Sequence, residues 1–436
     1  MKLLLIGDSD SQILACEALC RFDNHRDLDI TINAVPREGT PQIILQRAAA
    51  LGRLWQFNLA QIYTHPELST FDAVGVYLTG SKIAEMKSAL ELILDPQKRP
   101  LLFCGFNGVV LEKFIEGVTW RLGYDVVCLS GPRDLEALRR ITAKTPFEKQ
   151  TVALTGLQRN KNGAMLPYEE RRKLLVFSEQ VVMPRKETDR AKMLQILANL
   201  AKRSPDWQIL VKPRIAPDEK TFHNFNNHIQ DTFYGSIGRI PDNMLLDYRP
   251  LQDLLRQARM MATVSSTAFF DALDLGCRPI VMADFGINPK NGSHVFAGSG
   301  VWLQLDKIES LDQLEAEARE PDPDWLNWMG YEKAYQPDNL IKALERANDD
   351  RGKPSGMGAE VPAGYLTNSG LSFMQLRLNA ENAIAAGKLN EAASFLKIAC
   401  QMRPTHRNVA RRLAAVTCRN RILRNVLLIV SRRKIR

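Results

Sequence analysis

Short apolar runs rich in β-branched residues recur through the first third of the chain, at residues 2–6, 28–35, 71–78, 100–104 and 124–129. Each is followed by a polar or glycine-bearing turn, and helical periodicity fills the intervals. Strands alternating with helices predict a parallel sheet wrapped by helices. The rhythm restarts after a polar segment at 144–172 that contains Gly156, Asn162 and Gly163. Candidate strands there are 174–177, 208–211, 244–247, 261–264 and 279–282, with helices such as 187–202 and 251–258 between them. The expected fold is α/β: two Rossmann-like, doubly wound parallel-sheet domains in series, at 1–150 and 173–345. Such sheets take ligands beyond the carboxyl ends of their strands, which places the expected site in the cleft between the domains.

Residues 348–364, rich in Asp, Gly and Pro, read as a linker. Beyond it, 372–436 is expected to form a small helical segment. Residues 385–392, Ala-Ala-Gly-Lys-Leu-Asn-Glu-Ala, and the later Pro404 resemble one tetratricopeptide repeat. A lone repeat cannot bury its own faces, so this one is expected to pack on the core or on its neighbour helix. The last helix is expected to carry Val409, Leu413, Val416, Leu423, Leu427 and Val430 as one apolar stripe, flanked by Arg411, Arg412, Arg419, Arg421 and Arg424. That pattern suits either docking on the repeat or lying on an anionic lipid surface.

Charge bears on this choice. The 436 residues include 58 Lys and Arg against 49 Asp and Glu, a formal charge of +9. From 403 to 436 there are 11 basic residues and no acidic one, which leaves 47 against 49, or −2, for the rest. The body is neutral and the tail is cationic. The tail has no aromatic residue to stack on bases, which argues against a nucleic-acid partner. With 45% hydrophobic and 25% charged residues the chain has the balance of a soluble globular protein, and no apolar run is long enough to cross a bilayer. The opening apolar run ends at Gly7-Asp8 and reads as a buried strand, not a signal peptide. Seven scattered cysteines without a CxxC pair imply reduced thiols, with neither disulfide nor zinc expected. The expected setting is the cytoplasm, peripherally at the inner face of the cell membrane.

The stretch 262–280 is the richest in chemistry. An apolar strand ends in Ser265, Ser266 and Thr267, a helix follows, and Gly276 closes it before the next strand. Free amides and the positive end of the dipole at a helix start attract phosphate, and hydroxyls add donors. The alternative is ordinary capping, for which one hydroxyl suffices. Lys212 and Arg214, at the end of the strand 208–211, could neutralise a phosphate at the same cleft. Carboxylates able to serve as a general base follow the first two strands: Asp8, Asp10 and Glu38. Each could equally be a turn residue. Gly105-Phe106-Asn107-Gly108 either shapes an acceptor cleft or makes a simple turn.

Lys212-Pro213-Arg214 and Ser265-Ser266-Thr267 give the C-terminal half a resemblance to the donor domain of bacterial GT-B sialyltransferases and of the capsule transferases that use CMP-Kdo. In those families a Lys-bearing strand ends in a His-Pro motif that binds CMP, and a Ser-Ser or Ser-Thr motif further on holds the phosphate. Here Arg214 stands where that histidine would be, and His223 in the following segment is a further candidate. Looser matches lie at 177–180 with Pro184, at 284–286 and at 298–300. Glu38-Gly39 is similar to the acidic motif of sialyltransferases, with Arg37 in place of its first acid. The resemblance implies a GT-B fold and an inverting, metal-independent glycosyltransferase without a cofactor. It implies a sialic-acid-like or Kdo-like sugar moved from a CMP donor to a surface-glycan or lipid-linked acceptor. A UDP-sugar or CDP-glycerol or CDP-ribitol transferase on the same fold, and a non-catalytic helical-repeat scaffold, are the competing expectations.

Overall fold

The computed structural model describes residues 1–20, 28–36, 40, 42–95, 98–109, 114–158, 165–181, 183–217, 227–349 and 371–431. Seven strands build a first sheet: β1 (Lys2–Gly7), β2 (Asp29–Ala34), β3 (Arg53–Trp55), β4 (Ala73–Tyr77), β5 (Leu101–Cys104), β6 (Val126–Leu129) and β7 (Val152–Leu154). Six build a second: β8 (Arg172–Ser178), β9 (Gln208–Lys212), β10 (Met244–Leu246), β11 (Ala258–Thr263), β12 (Arg278–Met282) and β13 (Trp302–Leu303). The orders are 3-2-1-4-5-6-7 and 10-9-8-11-12-13. Every pairing is parallel. Strands buried on both faces need apolar side chains in both directions, which is why Leu3, Leu4, Leu5 and Ile6 run unbroken and all four are buried.

In each sheet the order reverses once, between β1 and β4 and between β8 and β11. These switch points open a crevice at the strand C-termini, the usual ligand position of doubly wound sheets. Strands β3, β7 and β13 were not expected. Each has only two or three residues, too few to show alternation.

Two connections join the domains side by side. One leaves β7 through Thr155 and Gly156; the other returns after the helix Pro323–Met329. The Leu157 amide donates to the Gly330 carbonyl at 3.0 Å. Gly330 has φ 95°, and a Cβ there would lie 2.2 Å from the Ser130 carbonyl oxygen, so both conformation and contact demand glycine. The returning chain forms the helix Asp338–Asp349, whose Leu340, Ile341 and Leu344 are buried with Leu3, Phe103 and Val126 of the first sheet. This corrects the expected domain boundary: 338–345 follows the second domain in sequence but packs on the first.

The C-terminal helices also rest on the first domain. Ser372 caps the helix Phe373–Ala385 in a capping box with Gln375, and Gly387 at φ 73° turns the chain into the helix Leu389–Met402. Leu376, Ala380, Ala392, Phe395 and Leu396 are buried in one cluster with Ile62, Met86 and Leu90. The expected single terminal helix is two, Arg407–Thr417 and Arg421–Val430. Val409 and Val416 of the first are buried, whereas Leu423 and Val430 of the second face solvent, so the predicted stripe is not continuous.

Candidate functional site

At the switch point of the second sheet, the loops after β8 and β11 are tied together through Gln180. Its side-chain carbonyl accepts the Ser265 amide at 2.9 Å, and its amide nitrogen lies 3.3 Å from the Ser265 hydroxyl. The Ser265 hydroxyl donates to the Asn291 carbonyl at 2.5 Å, and the residue is only 1% exposed. Ser265 is thus a fastening between three loops. That corrects its expected place as a direct phosphate donor.

Ser266 and Thr267 are half-buried. The Ser266 amide donates to the Thr263 hydroxyl at 3.2 Å, while its own hydroxyl accepts the Ala268 amide at 3.2 Å, opening the helix Ala268–Asp274. Thr267, at the cap position, makes no side-chain bond to the helix. Both residues follow β11 at the switch point and stay partly exposed.

Beside β8, Glu179 fixes the end of β9. It is buried at 4% exposure; one carboxylate oxygen accepts the Arg214 amide at 3.0 Å and the other pairs with Arg190 at 3.1 Å. Burial pushes its carboxyl above the ordinary range, against the opposing pull of the Arg214 amide and the Arg190 charge. Arg190 also donates to the Val181 carbonyl at 2.6 Å, so the pair holds two loops at once. With its backbone pinned, Arg214 keeps an exposed side chain, and the Lys212 ammonium donates to the Pro213 carbonyl at 2.6 Å. β9 and β11 flank β8, so their ends stand about 10 Å apart. His223 lies outside the described residues. His228 was not singled out in the sequence; it caps the helix Ile229–Ser236, and its Nε2 sits 2.9 Å from the Ile215 carbonyl.

The switch point of the first sheet is closed differently. The Asp8 carboxylate accepts the Thr79 amide at 2.9 Å and its hydroxyl at 2.8 Å, and pairs with Lys82 at 3.0 Å. The residue is buried, joining the loops after β1 and β4. Of the three candidate bases, Asp8 is thus the one held between two loops by Thr79 and Lys82. Asp10 stands in the first turn of the helix Asp10–Leu19, behind the Ser9 cap, and is half-buried. A carboxylate is favoured there by the helix dipole. Glu38 lies outside the described residues. Further along this edge a concave pocket is lined by Tyr77, Phe106, Gly108, Ser130, Thr155 and Gln158, which brings two residues of the 105–108 turn to a cavity wall. No group of three or more His, Cys, Asp or Glu side chains suited to a metal ion occurs among the described residues.

Residues 3–347 match the family described as "Putative glycosyltransferase (DUF6716)". The chain belongs to that family. The match takes in both sheets and the helix that returns to the first one, and stops before the C-terminal helices. No curated protein matches the sequence significantly. Among solved structures, a "putative UDP-N-acetylglucosamine 2-epimerase" from Listeria monocytogenes superposes with a TM-score of 0.51 at 13% identity, over 81% of this chain and 98% of its own. The S. aureus protein MnaA, solved with UDP, gives 0.51 at 10% identity, over 80% and 97%. The fold of this glycosyltransferase-family member is therefore GT-B, with two Rossmann-like domains and an added C-terminal helical segment.

Proposed function

We propose that the chain is an inverting glycosyltransferase that moves a sugar from a nucleotide-linked donor to a surface-glycan or lipid-linked acceptor. The observation that carries this reading is the junction at the second switch point. Gln180 and Ser265 tie its loops together, Ser266 and Thr267 follow β11 partly exposed, and Lys212 and Arg214 stand at the end of β9, two strands over across β8. Such an arrangement suits a nucleotide phosphate, and its donors are preorganised for the charge that grows on the leaving group. Arg214 and Lys212 would neutralise that charge, and Ser266 and Thr267 would donate to phosphate oxygens. Ser265 is a positioning residue. Of the candidate carboxylates within the described residues, Asp10, half-buried in the first turn after β1, would deprotonate the acceptor hydroxyl, and the more deeply buried Asp8 would position the loops. In this reading the transfer runs without a divalent metal. A lipid-linked acceptor would set the enzyme at the inner face of the cell membrane.

Two donor classes compete. The Lys212 and Ser266 motifs favour a CMP-linked acidic sugar of the sialic-acid or Kdo type, whereas the likeness to a protein solved with UDP favours a UDP-sugar. Calorimetric titration of the full chain with CMP, CDP and UDP separates them. Binding of one nucleotide that weakens at least tenfold in the Lys212→Ala/Ser266→Ala variant supports the site, given about 1.5–3 kcal/mol for a hydrogen bond to a charged group. Unchanged affinity in that variant sinks it.

A further inference from the structure

The last described helix, Arg421–Val430, starts at Asn420, whose side-chain oxygen accepts the amides of Ile422 and Leu423 at 3.0 and 3.1 Å. Its inner side is half-buried at Leu427 and Leu428, and Arg412 of the preceding helix donates to the Leu428 carbonyl at 2.6 Å. On the opposite side, Ile422, Leu423, Val426, Ile429 and Val430 fall within an arc of about 120° at 3.6 residues per turn. They are 79%, 51%, 50%, 74% and 70% exposed. An apolar face of this width normally turns toward a core, and this one faces away from the protein.

The surroundings are cationic. Arg411, Arg419 and Arg421 are exposed, while Arg412 is buried against Glu381 and Arg403 lies over the Phe373 ring. The sequence has no acidic residue from 403 onward.

We propose that the outer face of Arg421–Val430 inserts into the surface of an anionic lipid bilayer, with the exposed arginines at headgroup level. An apolar helix face bordered by arginines is what an interfacial helix requires. A second copy of the chain fits less well. Ten residues span about 15 Å, a patch well short of the roughly 800 Å² per partner of a stable interface. Two tails that carry positive charge alone would also repel each other on meeting. No helix among the described residues is long and apolar enough to cross a membrane. The helix therefore lies in the plane of the lipid surface. The proposal goes beyond the transferase reading and is independent of the donor site.

Cosedimentation of the full chain with phosphatidylcholine vesicles, with and without phosphatidylglycerol, tests it. The expected result is sedimentation with the anionic vesicles and release at high salt. Replacing Arg419 and Arg421 together by Gln should weaken binding about twenty-five-fold, at about fivefold for each surface cation. The Ile422→Asp/Ile429→Asp variant, altered only at exposed positions, should keep the wild-type circular dichroism and nucleotide affinity yet lose the vesicles. Equal sedimentation with neutral and anionic lipid, or vesicle binding unchanged in the isoleucine variant, overturns the proposal. So does a concentration-dependent dimer that this variant abolishes in a protein that ignores vesicles.

Discussion

Replacing Arg190 by Met isolates the contribution of the buried pair that holds the loops of the second switch point. Glu179 and Arg190 are 4% and 7% exposed, and the Glu179 carboxylate otherwise receives the Arg214 amide. Removing one partner of such a pair leaves a buried charge uncompensated and costs about 3–5 kcal/mol. With a slope near 2 kcal/mol per molar urea, the unfolding midpoint of the second domain should fall by about 2 M. Much of that penalty belongs to the orphaned carboxylate and not to the pair itself, because the Arg190 Nε is buried without a hydrogen-bond partner. The Arg190→Met/Glu179→Gln double variant should therefore recover most of the loss. Dependence on pH fixes the sign. Burial already raises the Glu179 carboxyl, and loss of Arg190 removes a charge that lowers it. A carboxyl raised above its unfolded value of 4.5 favours folding below that value, and the advantage is lost as pH climbs through the raised folded value. The single variant's deficit should thus be smaller at about pH 5 than at pH 8. Urea melts monitored by tryptophan fluorescence at both pH values measure it. A double variant no more stable than the single one, or a deficit that widens toward acid, would refute the reasoning.

Other outcomes follow from the same geometry. Asp8→Asn should cost stability by about 1–3 kcal/mol through the loss of the Lys82 pair at a buried site, while Asp10→Asn should lower turnover more than it lowers the melting temperature. Steady-state rates and thermal melts of the two variants decide between them. Gly330→Ala forces a Cβ to 2.2 Å from the Ser130 carbonyl at φ 95° and should lower the melting temperature of the chain through about 1–3 kcal/mol of strain. An unchanged melt would contradict the close apposition there. Arg412→Met removes the cation that joins Glu381 to the Leu428 carbonyl, so amide exchange in 407–431 should accelerate while the sheets stay protected.

The strands were legible wherever they were long and doubly buried, because parallel sheets need unbroken apolar runs such as Leu3 to Ile6 and Ile209 to Val211. The short strands β3, β7 and β13 left no such trace, whereas the equally short β10 was marked by the apolar run at 244–247. The residues of the helix Asp338–Asp349 were assigned to the second domain by proximity in sequence, whereas the packing is with Leu3 and Phe103. Among the hydroxyls, local pattern could not tell Ser265 from Ser266. Their difference comes from Gln180 and Asn291, which only the folded chain brings near. Asp8 is similar: its commitment to Thr79 and Lys82 is a contact across the sheet. The break in the terminal stripe did have a local sign, Asn420, a residue type that starts helices.

The polypeptide passes between the lobes twice, and the two passages touch at Leu157 and Gly330. Paired crossings behave as a strap with a narrow axis. Opening of one lobe away from the other must bend both at the same place, while twisting would pull the strands past each other and shear that hydrogen bond. The backbones of Gly131 and Gly330 meet beside this strap with no side chain between them, so any bending of one lobe against the other is concentrated there.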